Sequence, residues 1–316
     1  MALSVQQDLE PTSAFNDFIT QVLQQWSKGE LPFKEALARV SASAQEAIAE
    51  NHFANQGRAE HALGYLQHYR GDLNASTRHY ERARRLFQRV GNTRRMATMD
   101  MNNGENYRLK GDFARARHLY RAAFDAAREL DNVALQAMSA VNEGLALLSI
   151  GQMEAARHTL QEAQQIIELW TDNNSNRPRL LCELYHGLTS IYLHEGKLDL
   201  AWDAAQKAMD YVREAPEKIQ LGLAYRNMGE VLSRMGTGAG TDDDPDAYFR
   251  VALEIFREMN MEAEIARTIF AQARSLVERG RKTMAARKLQ QVMIMFTELG
   301  MVDDAAKAAE AQLAVI

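Results

Sequence analysis

Cysteine is nearly absent from this chain. Among its 316 residues Cys182 stands alone, and there are only 5 prolines. A single cysteine excludes an internal disulfide and favours a reducing compartment, so a cytoplasmic location is expected. So few prolines leave long helices unbroken. No stretch approaches the roughly 18–20 apolar residues that a membrane helix needs. The opening "MALSVQQDLEPTSAF" has neither a basic start nor an apolar run, so no secretory leader is expected. Period-two alternation, the mark of half-buried strands, is missing as well. Also absent are HExxH, paired cysteines, a phosphate-binding glycine loop and a nucleophile elbow. Eight histidines do not form a metal-ligand pattern, and His118 and His158 simply repeat one another 40 residues apart. A catalytic role, a metal and a cofactor are all unexpected.

What the chain does have is a repeat. "GDLNAS" (71–76), "GDFARA" (111–116), "GQMEAA" (151–156) and "GKLDLA" (196–201) follow one another at intervals of 40, 40 and 45 residues, and weaker copies start at Gly236 and Gly280. A small residue precedes each of these glycines by seven positions: Gly64, Gly104, Gly144, Thr189, Gly229 and Ala273. A second small residue follows five positions later in most copies: Ser76, Ala116, Ala156, Ala201 and Ala285. The leading glycine permits the left-handed conformation that ends a helix, and the small residues let two helices approach closely. Breakers such as "GN" (91–92), "DN" (131–132), "TDNNSNRP" (171–178) and "LG" (299–300) close the second helices. The spacing predicts an all-α chain of six helix pairs, each burying its apolar face against its neighbours.

A unit of about 40 residues would fit HEAT or armadillo repeats by length alone. The internal order is different: Gly104, Tyr107, Gly111, Phe113, Ala116, Tyr120, Ala123 in one copy, and Gly64, Gly71, Leu73, Ser76, Tyr80, Ala83 in another. This pattern resembles the tetratricopeptide repeat (TPR), lengthened by about one turn per helix. More narrowly, "RVALEIFREMN" (250–260) and "LQQVMIMFTELG" (289–300) resemble the TPR arms of bacterial transcription regulators. The resemblance implies a right-handed TPR superhelical solenoid of antiparallel helix pairs. The expected organisation is a flexible tail (1–12), a degenerate helical pair (13–54), six repeats (55–300) with an insertion at 237–247, and a capping helix (301–316).

The resemblance also implies that the first helix of each pair lines a concave groove. Asn102, Asn142 and Asn227 recur at one groove position, which Gly187 interrupts in the fourth copy. In related TPR proteins asparagines at this place grip the backbone of an extended peptide, because an amide both donates and accepts. The alternative is that they tie one repeat to the next. The same facing adds His61, Tyr65, His68, Glu105, His186, Arg226, Glu230 and Arg274 to the expected groove. Asn103 occupies a packing slot that is apolar in most copies and holds Glu143 in the next, so an Asn103–Glu143 contact is expected.

Charge is unevenly spread: residues 51–130 carry 15 Arg and Lys against 8 Asp and Glu, although the whole chain is at −5. Arg78, Arg82, Arg85 and Arg89 form a stripe along one predicted helix. A stripe of this kind suits an acidic partner or remains a solvated face; nucleic acid is disfavoured, because no base-reading motif accompanies it. The aspartates of 237–247 lack the spacing of a calcium loop and read as an acidic, flexible loop. The expected function is a non-catalytic scaffold that binds a peptide segment or partner protein in its groove. The alternative is a regulatory module that senses a peptide or small effector. Self-association through an open solenoid end is compatible with either.

Overall fold

The computed structural model describes residues 9–170, 177–214, 217–236 and 244–315. Fifteen helices account for nearly all of them, with no strand among the described residues. They are α1 (Ser13–Ser27), α2 (Phe33–Ala49), α3 (Phe53–Arg70), α4 (Leu73–Val90), α5 (Thr93–Leu109), α6 (Phe113–Glu129), α7 (Val133–Ser149) and α8 (Met153–Leu169). The rest are α9 (Arg177–His194), α10 (Leu198–Glu214), α11 (Lys218–Met235), α12 (Pro245–Glu258), α13 (Glu262–Glu278), α14 (Lys282–Glu298) and α15 (Val302–Leu313). Consecutive helices pack as pairs, which makes the molecule an all-α TPR solenoid.

Local chemistry sets the boundaries. Four helices start on an Asx N-cap: Asp72, Asn92 and Asp112, each after a glycine, and Asn132, after Asp131, accept hydrogen bonds from the backbone N–H three positions on, at 2.8–3.2 Å. Gly71 and Gly91 end α3 and α4 in the left-handed conformation. The "TDNNSNRP" breaker and most of the 237–247 insertion lie outside the described residues. Where the insertion ends, Asp244 caps α12, and Asp246 receives two hydrogen bonds from Arg279, at 2.8 and 3.1 Å. These two aspartates are anchored to α13.

The small residues do the packing work. A Cβ added to Gly64 would come within 2.5 Å of the Tyr80 ring, and one on Gly104 within 2.7 Å of Tyr120. One on Gly144 would lie 2.6 Å from Leu160, and one on Gly229 3.0 Å from Phe249. In every case the large residue lies 16 or 20 positions further on and is fully buried. In the fourth pair the sizes are exchanged, with Thr189 on α9 and buried Ala205 on α10. A Cβ on Gly187, which breaks the asparagine series, would come within 2.8 Å of Leu160 and 3.1 Å of Leu145, so an asparagine there would have to displace both leucines.

The solenoid curls until its ends meet. One apolar cluster joins Ile19, Trp26, Phe33 and Val40 of α1 and α2 to Ile219 of α11 and Phe256 of α12. Another joins Leu73 and Leu109, from the first repeats, to Ala263, Phe296, Met301 and Ala308 near the C-terminus. Lys307 on α15 donates to the backbone oxygen of Ser149 at 2.8 Å, 158 positions away. The first and last repeats are therefore in contact across the groove.

Candidate functional site

Closure decides which groove positions are accessible. On α3, Tyr65 is packed edge-on against Trp26 and Tyr69, at centroid distances of 5.9 and 4.8 Å. Burial pushes its phenol up to about 12. His68 donates from Nδ1 to Asn106 Oδ1 at 2.7 Å, and Asn106 in turn donates to Ser76 and Thr77. Glu105 is bound by Arg108 at 2.5 and 2.7 Å and by the Tyr120 hydroxyl at 2.8 Å. Burial would raise the Glu105 carboxyl, but Arg108 outweighs it and holds the group at about 2. Arg226, expected in the groove, is buried and paired with Glu264 at 2.7 Å. Glu264 also binds Arg267, which reaches Asp304 of α15 at 3.6 Å. This charge network ties α11, α13 and α15 together.

The asparagines divide. Asn102 donates from Nδ2 to His61 Nε2 at 3.1 Å, one repeat back. Asn227 is fully buried and accepts at Oδ1 from His186 Nδ1 at 2.5 Å, again one repeat back. Asn142 is half-buried and has no side-chain hydrogen bond among the described residues. The series is thus no open row of amides: the first and third members link repeats, because a histidine occupies the facing position in the preceding copy. Asn227 and Arg226 are corrected from open groove positions to interior ones. The expected Asn103–Glu143 contact is also absent. Glu143 turns back to α6, where Arg121 lies at 3.0 Å and Arg117 at 3.9 Å, and Asn103 Oδ1 is buried without a partner.

An open pocket of about 410 Å³ lies near the C-terminal ends of five first helices. Arg108 comes from α5; Leu145, Leu148 and Ser149 from α7; His186, Ser190 and His194 from α9. Glu230 and Arg234 come from α11, and Arg274, Ser275 and Glu278 from α13. Four sequence-expected residues therefore converge on it or border it: His186, Glu230 and Arg274 line the wall, and Glu105 orients Arg108. Arg108 donates to Ser149 at 2.9 Å, and Arg234 pairs with Glu278 at 3.5 Å. Burial raises the Glu278 carboxyl, partly offset by Arg234 and Arg274. Sequence reasoning missed Arg108, Arg234 and Glu278; their signal was the first-helix spacing extended one turn beyond the small residue. No three-residue group of metal-ligating side chains is found among the described residues, and no helix is long and apolar enough to cross a membrane.

The arginine stripe lies on the outer face of α4. Arg78, Arg82, Arg85 and Arg89 are all exposed. Arg82 is 3.9 Å from Glu60, and Arg89 lies over the Phe53 ring at 3.7 Å.

A tetratricopeptide repeat family model matches residues 95–168, which is α5 through α8. No curated protein sequence matches the chain. Among solved structures it is similar to a Rap protein complexed with competence and sporulation factor, with a TM-score of 0.68 at 15% identity, covering 92% of this chain and 76% of that one. It is also similar to aspartyl phosphate phosphatase F from Bacillus subtilis, with a TM-score of 0.64 at 17% identity, covering 87% and 68%. A third likeness is to the Rap conjugation gene regulator of plasmid pLS20 in complex with the Phr* peptide, with a TM-score of 0.59 at 13% identity, covering 84% and 76%. The fold is the TPR solenoid of such bacterial regulators.

Proposed function

We propose that this protein binds a peptide segment in the concave pocket and acts through that binding as a regulatory scaffold. The observation that carries the reading is convergence: five first helices, from α5 to α13, each give a polar or apolar side chain to one open pocket. Its mixture of guanidinium, carboxylate, imidazole, hydroxyl and leucine groups matches peptide chemistry, which offers amides, charges and apolar side chains together. The pLS20 regulator, which shares the fold, holds a peptide. The test is a thermal-shift and calorimetric titration with a randomised decapeptide pool. Saturable binding that is lost in Arg274→Glu supports the reading; binding unaffected by Arg274→Glu and by Glu230→Ala removes the pocket from the account.

A sensing role, in which the ligand changes curvature, is favoured by one further feature. The pocket is lined both by Arg108 of α5 and by Arg274 of α13, helices brought together only by closure. A ligand touching both has a higher affinity for the closed form and shifts the population toward it. Amide exchange in α15 that slows on peptide addition is the expected result. The exposed arginine stripe supports a separate contact with an acidic partner, recognisable by its salt dependence.

A further inference from the structure

Two ionised side chains lining the pocket have no ion-pair partner among the described residues: Glu230 on α11 and Arg274 on α13. The other charges there are committed, Arg108 to Glu105 and Arg234 to Glu278. His186, on the same wall as Glu230, donates from Nδ1 to Asn227 Oδ1. Oδ1 can only accept, so the ring proton is on Nδ1 and Nε2 is left as an acceptor. Burial and Arg226 disfavour a second proton on that ring. Free acceptors thus collect on α9 and α11, and the free donor fork is on α13. The pocket has a built-in polarity.

We infer that the pocket receives a short peptide with both termini free, its α-ammonium at Glu230 and His186 Nε2 and its α-carboxylate at the Arg274 guanidinium. The inference rests on the peptide-binding reading above and narrows it to a ligand class. A carboxylate suits the planar, bidentate guanidinium, and an ammonium suits a carboxylate beside a neutral ring acceptor. The backbone of an internal stretch brings no charge to these places, so unless a basic and an acidic side chain fall at this spacing, Glu230 and Arg274 lose water without gaining a partner. Size points the same way. About 410 Å³ is near the small end of ligand pockets and holds a few residues, not a long segment. Leu145 and Leu148 on α7 supply an apolar wall for one side chain.

The test uses randomised tripeptide pools in four forms: free, N-acetylated, C-amidated and doubly capped, together with a mixture of free amino acids. Thermal shift and calorimetry are read on the full chain. The free pool is expected to bind best, with each cap weakening binding by about tenfold or more. Glu230→Gln is expected to abolish the penalty for N-acetylation alone, and Arg274→Gln the penalty for C-amidation alone. Neither residue is ion-paired, so circular dichroism should show both variants folded. Equal binding of free and doubly capped pools, or a response to the decapeptide pool only, overturns the inference and leaves peptide binding intact. An amino-acid mixture that binds as well as the free tripeptides overturns the peptide part of it. No response to any pool, long or short, overturns both readings.

Discussion

Asn227 and His186 show how one residue pair can serve both the frame and the site. The amide oxygen fixes the imidazole tautomer, and the ring edge that remains belongs to the pocket wall. Asn227→Ala removes the acceptor from a buried donor and should cost about 1–3 kcal/mol in urea unfolding. Glu105 makes a pH argument. Its ordinary value is 4.5 and its folded value about 2, so its contribution is fully present above pH 4.5 and is lost as pH falls toward 2. His68 and His186 act earlier: burial lowers both, so their protonation in the unfolded chain erodes stability as pH falls below 6.5. Stability measured against pH should therefore decline in two stages, and Glu105→Gln should flatten the more acidic one.

Within each helix pair, packing and capping are separable. Gly104→Ala places a methyl group 2.7 Å from the Tyr120 ring, itself fully buried and tied to Glu105. The aromatic ring cannot withdraw without breaking that bond, so overpacking should cost about 1–3 kcal/mol. Asp72→Ala removes only the cap bond to Ala75 N and should cost about 1 kcal/mol, with no change in helix pairing. Chemical denaturation of the two variants, side by side, ranks these contributions. Both devices were legible in the sequence, because a glycine or an Asx residue at a fixed interval has one mechanical use.

Closure belongs to the whole molecule. Met301 is fully buried in the cluster that joins the first repeats to the last. Met301→Asp puts a carboxylate into that apolar contact and should open the solenoid. Small-angle scattering should then show a larger radius of gyration while circular dichroism retains most of the helix signal. Outside the closure, the α4 arginines face solvent. A double reversal, Arg78→Glu with Arg85→Glu, should leave stability within about 0.5 kcal/mol and abolish any salt-sensitive partner contact.

The sequence by itself determined the helix pairs, their boundaries and the repeat, because caps, glycine turns and close approach are local and periodic. It also placed His186, Glu230 and Arg274 on first-helix faces, three of the residues that line the pocket. It did not determine which first-helix residues stay open. His61, Tyr65, His68 and Arg226 have the same periodic signature as those three, yet none of them lines the pocket, and Arg226 is buried. Which of them reach the pocket depends on curvature, the sum of small rotations over many repeats, which brings α13 and α15 back onto α3 and α5. Contacts more than 150 positions apart leave no trace in a 40-residue period. Only the tertiary structure could turn a predicted groove into one pocket.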